Sequence, residues 1–128
     1  MQLPEHLTIE KEYARLFPQV HVTLEEGAAL VAAAIEFCRE QKIARLLVDI
    51  TALSGIGNPT IVERFWLVRQ WAEGARGAVM VAMVCPPELI DARKFGVTVS
   101  QNLGFRCEVF TSAAPALDWL LGGQKQEE

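Results

Sequence analysis

The sequence predicts an α/β domain with a mixed sheet of about five strands and about four helices, and three observations carry that reading. Residues 46–50 form an unbroken apolar run (Leu46, Leu47, Val48, Ile50) with one acid, Asp49, near its end. Residues 78–85 form a second run without any charge, and a shorter one returns in FRCEVFTSAAPALDWLL. Each run is followed by a turn-rich loop and a helical pattern. Apolar runs without alternation suit parallel strands covered on both faces, and strand–loop–helix repetition is the mark of α/β architecture.

The amino-terminal elements come first. Residues 6–10 and 13–22 read as two extended segments, forming a hairpin or bent strand pair with the first strand at a sheet edge. Pro18 weakens a regular ladder in the second. Thr23-Leu24-Glu25-Glu26 is a capping box that opens a helix running to about Gln41. Leu24, Ala28, Val31, Ile35 and Cys38 recur at three- and four-residue steps and make its buried stripe, with Glu36, Arg39 and Glu40 outside.

The second helix is expected to begin at Pro59, whose fixed φ suits the first helical position, with Asn58 as its cap. Ile61, Phe65, Val68 and Ala72 form the expected inner stripe, flanked by Trp66 and Trp71. That stripe is wider than a sheet requires, so part of it is expected to meet another chain. Gly74 and Gly77 end the helix.

Pro86-Pro87 stops the uncharged strand, and Glu88 lies in the first turn of the next helix, where an acid suits the dipole. Leu89, Ala92, Gly96, Val99 and Leu103 are its expected inner face, and Gly104 its C′ residue. Cys107, Val109 and Phe110 make the last strand. Thr111-Ser112 caps a last helix closed by Trp119, Leu120 and Leu121. The chain reads as one domain over residues 1–121, with residues 122–128 expected to be disordered.

Composition narrows the function classes. The net charge is −4 and no Lys/Arg cluster occurs, which argues against nucleic acid. No apolar run approaches the ~20 residues of a membrane span, and the amino terminus lacks the pattern of a signal peptide. Three widely spaced cysteines (Cys38, Cys85, Cys107) make neither a disulfide framework nor a metal site, so a reducing cytoplasmic setting is expected. His6 and His21 have no zinc spacing. No metal or cofactor is expected.

Ligands of such a sheet sit outside the carboxyl ends of its parallel strands. That edge gathers Asp49, Thr51, Ser54, Asn58, Thr60, Cys85, Glu88, Thr111 and Ser112. Asp49 is a candidate acid, base or ligand, although loop amides are its simpler partners. The Ser54–Thr60 loop lacks the glycine patterns of phosphate binding and reads as a turn before a capped helix. Cys85 stands where a nucleophile could stand, but the two prolines after it remove amides that an anion would need. Ser54 and Thr60 are candidates for phosphorylation near a helix start.

The segments LLVDITAL, VMVAMVCPPELI and VFTSAAPALDWLL, in this order over about residues 20–121, resemble the STAS superfamily, and within it the SpoIIAA-like (STAS/SEC14-like) bacterial domains. The resemblance implies a sheet built by successive right-handed β-α turns, a SpoIIAA-like superhelical sandwich with helices mainly on one face. In STAS anti-sigma-factor antagonists, a D-S-S-G-like segment carries a phosphorylated serine. Here residues 57–60 are Gly-Asn-Pro-Thr, with Thr60 one position out of place. The leading expectation is a non-catalytic cytosolic regulatory or protein-interaction domain, a homodimer through Phe65, Trp66 and Trp71. The alternatives are a site for a small apolar, lipid-like ligand between the second and third helices, with Asp49, Ser54, Asn58, Thr60 and Cys85 near its mouth, and a phosphorylation-regulated switch at Thr60 or Ser54.

Overall fold

The structure, a computed structural model, describes residues 3–90 and 95–122. It is α/β, with a five-stranded mixed sheet and four α-helices. Strand β1 (Leu7–Ile9) and strand β2 (Ala14–Leu16) form an antiparallel hairpin at one edge, Leu7 facing Leu16. Strands β3 (Arg45–Asp49), β4 (Met80–Val84) and β5 (Cys107–Phe110) then add in parallel, so the order across the sheet is the order along the chain. The two charge-poor runs are therefore neighbouring inner strands of one direction, as their composition demands.

Sequential parallel strands joined by crossovers of one hand place the connecting helices on a common face. Helix α1 (Leu24–Glu40) packs on β2, β3 and α2 (Ile61–Ala75), α2 packs on α3 (Phe95–Asn102), and α3 reaches β5. Helix α4 (Ala113–Gly122) alone lies across β3, β4 and β5 on the other face. This is the layering that the family resemblance implies. Alternation along each strand divides the core accordingly. Leu46, Val48, Val81 and Met83 join the larger apolar cluster beneath α1–α3, whereas Leu47, Ala82 and Val84 meet Ala116 and Leu120 of α4.

The capping box of α1 is present in both directions: Glu26 N–H donates to Thr23 Oγ1 at 3.1 Å, and Thr23 N–H donates to Glu26 Oε1 at 2.9 Å. Ala28, Val31, Ile35 and Cys38 are buried as their spacing requires, and Leu24 is half-buried.

Helix α2 corrects the expected start. Its cap is Thr60, not Asn58, and its first residue is Ile61, not Pro59. Thr60 and Glu63 form a second reciprocal box, with bonds of 3.1 and 2.8 Å. A box that satisfies two orphan amides outweighs a lone asparagine cap. The inner stripe changes too. Val68, Trp71 and Ala75 are buried, whereas Ile61 is 60% exposed and Phe65 half-buried. Trp71 is thus core, not flank: its indole Nε1–H donates to the Ala28 carbonyl of α1 at 3.2 Å. The first turn of α2 carries its apolar residues away from the sheet.

The helix expected from Glu88 onward divides. Pro87–Leu89 is a single 3-10 turn with Glu88 in it, and α3 begins only at Phe95. Leu103 lies beyond the end of α3 and is 46% exposed, so it is not an inner-face residue. Ala92 falls outside the described residues, and Gly96 lies in the first turn of α3. Gly122 belongs to α4 and not to a tail; the expected disorder of residues 123–128 lies outside the described residues. Among the described residues, no helix is long and apolar enough to cross a membrane.

Candidate functional site

The carboxyl ends of β3 and β4 open into a cavity of about 130 Å³ beneath α1, α2 and α3. Its floor is Ile50, Met83 and Cys85. Helix α1 supplies Leu24, Ala28 and Val31, and helix α2 supplies Leu67, Val68 and Trp71. Leu89 and Ile90 of the 3-10 turn, with Val97 of α3, close the third side. Leu53, Ile56 and Pro59 come from the loop before α2. The wall is apolar almost throughout, and Arg64 is its one charged side chain among the described residues.

Arg64 is held at the mouth. Its Nε–H donates to the Pro59 carbonyl at 3.1 Å, Nη1–H to the Leu89 carbonyl at 2.8 Å, and Nη2–H to Asn58 Oδ1 at 2.8 Å. One guanidinium therefore fastens the loop before α2 to the turn after β4. Asn58, expected as a helix cap, serves as an acceptor for this arginine instead. Arg64, Val68, Trp71 and Ala75 follow one another at helical spacing, so a cation stands on the buried stripe of α2. That position was the sequence signal for Arg64, and the reading of the stripe through Ile61 and Phe65 hid it.

The other residues of this edge do not converge on one point. Asp49 is buried, and its Oδ1 accepts from Thr51 N–H at 3.0 Å and from Thr51 Oγ1–H at 2.6 Å. This is the local turn bond expected of an acid ending a strand. Thr60 is occupied as the cap of α2. Ser54 pairs with a partner that its sequence neighbours do not reveal. Residues 21 and 54 form an isolated parallel bridge, and His21 Nδ1 lies 3.0 Å from Ser54 Oγ. Both side chains are exposed, and the contact ties the strand exit before α1 to the loop after β3. Gly55 makes this approach possible. Its φ is +93°, and a Cβ there would overlap the Val22 carbonyl oxygen.

Cys85 lines the inner end of the cavity. Burial pushes its thiol up to about 11; the Arg64 guanidinium opposes that rise and Asp49 adds to it. Cys107 is pushed up to about 12, again chiefly by burial. Both are protonated at neutral pH. Among the described residues, no group of three or more His, Cys, Asp or Glu side chains could hold a metal ion.

Phe65 and Trp66 stand apart from the cavity. Their rings meet edge to face with centroids 5.5 Å apart, and the Arg69 guanidinium carbon lies 5.6 Å from the Trp66 centroid. Trp66 is 58% exposed, and Ile61 and Val62 beside it are likewise open to solvent.

No protein-family model, curated protein or solved structure matches this chain.

Proposed function

We propose that this chain is a non-catalytic binding domain for a small apolar molecule, held in the cavity under α1, α2 and α3. The carrying observation is the cavity itself: about 130 Å³ of space with an apolar wall, at the strand edge where α/β sheets receive ligands. A close-packed interior does not leave such a void without cost. A dry apolar cavity of about 150 Å³ in another protein accepts benzene, so the size suits a single ring or a short branched chain. A whole lipid tail needs the several hundred Å³ of a larger pocket. The protonated state of Cys85 and the local bonding of Asp49 favour binding over catalysis. Protein-observed NMR titration with toluene tests the reading. Shifts are expected at Val31, Val68, Trp71 and Val97; a titration that moves none of them at saturating toluene refutes it.

A second reading retains the interaction surface. Ile61 at 60%, Val62 at 64% and Trp66 at 58% exposure form an apolar patch on the outer turns of α2. Apolar patches of this kind serve association. This patch supports a regulatory domain that joins a second copy or a protein partner. Sedimentation equilibrium is expected to show dimers that Trp66→Lys dissociates; a monomer at high concentration rules out the homodimer.

A further inference from the structure

We infer that the cavity's ligand is a small monocarboxylic acid, its apolar body inside the cavity and its carboxylate on Arg64 at the mouth. This rests on the ligand-binding reading above and goes further by naming the ligand's polar group. Among the described residues, Arg64 has three acceptors, all neutral: two carbonyls and an amide oxygen. A guanidinium has five N–H donors, so two have no acceptor among the described residues. The ion pair among the described residues joins Arg69 to Glu73 and leaves Arg64 out.

A half-buried cation whose partners among the described residues are all neutral is incompletely compensated by them. An arriving carboxylate supplies the missing charge, and a guanidinium fork matches it in shape. The fork is also pre-organised, since bonds to Pro59, Asn58 and Leu89 already fix its plane. Its field reaches the cavity floor, where the guanidinium opposes the rise that burial imposes on the Cys85 thiol.

The rest of the wall limits the ligand to one polar group. The Trp71 indole already donates to Ala28, and the thiols are weak donors. A second carboxylate or a hydroxyl inside the cavity would be left unpaired.

Calorimetric titration with benzoate, benzamide and toluene tests the inference on the intact chain. Benzoate is expected to bind at least tenfold tighter than benzamide, a preference that falls as salt rises. Arg64→Gln is expected to bring the benzoate-to-benzamide ratio to about one. Because that variant also loses a loop fastening, the salt dependence in the unaltered protein stands as an independent reading. Equal binding of benzoate and benzamide, or toluene binding with benzoate excluded, overturns the carboxylate and leaves the cavity site standing. Binding of none of the three overturns both.

Discussion

A cavity-filling substitution tests the site without any ligand. The cavity of about 130 Å³ offers space lined almost wholly by apolar side chains. Val68 is buried on α2 and lines this void. Val68→Leu adds one carbon, which contributes about 0.8 kcal/mol if it finds empty apolar space. Leucine is also the better helix former, by a few tenths of a kcal/mol. Val62 lies on the same helix but is 64% exposed, so Val62→Leu gives the propensity gain alone. Urea unfolding of the two variants should therefore place Val68→Leu above Val62→Leu by about 0.8 kcal/mol, roughly 3 °C in Tm. In a filled core the same extra carbon costs about 1–3 kcal/mol. A Val68→Leu variant no more stable than Val62→Leu refutes the cavity and the function built on it.

Gly55→Ala should lose about 1–3 kcal/mol from its positive φ and more from overlap with the Val22 carbonyl. Gly57→Ala, at φ +68° with nothing within 4 Å, should lose the conformational part alone; equal losses in urea unfolding would refute the close approach. Thr60→Ala should cost about 1 kcal/mol by removing the cap of α2, and Thr60→Asp should restore most of it, measured by circular dichroism in urea. If Thr60→Ala is neutral, the second capping box has no energetic weight. Burial raises Cys38, Cys85 and Cys107 from 9.0 to about 11, 11 and 12, so the unfolded chain releases these protons first. Their contribution is complete below pH 9 and is lost as pH climbs towards the folded values, so stability should fall above pH 9. Cys85→Ala should make that fall shallower, and an unchanged slope would contradict the burial of its thiol.

The legible parts of this chain are those fixed by near neighbours. Residues 46–48 and 80–84 are strand because their side chains are apolar on both faces, and a strand between two helix layers needs that. Thr23 and Glu26 stand three residues apart, so the cap of α1 is written in four consecutive letters. The same four-letter pattern at residues 60–63 was open to reading, but Asn58-Pro59 offered a competing start and moved the expected stripe of α2. The break in the third helix had less signal, because the prolines at residues 86 and 87 are equally good openers of a long helix and of one 3-10 turn.

Sequence by itself determined the fold class, the strand directions and the first cap, because period, charge and capping act over a few residues. Only the tertiary structure decided the site. Arg64 reaches Leu89 across 25 positions, and His21 reaches Ser54 across 33. The cavity is less local still. It is the volume left over when three helices and a sheet have packed, and no single residue encodes space that all of them fail to fill.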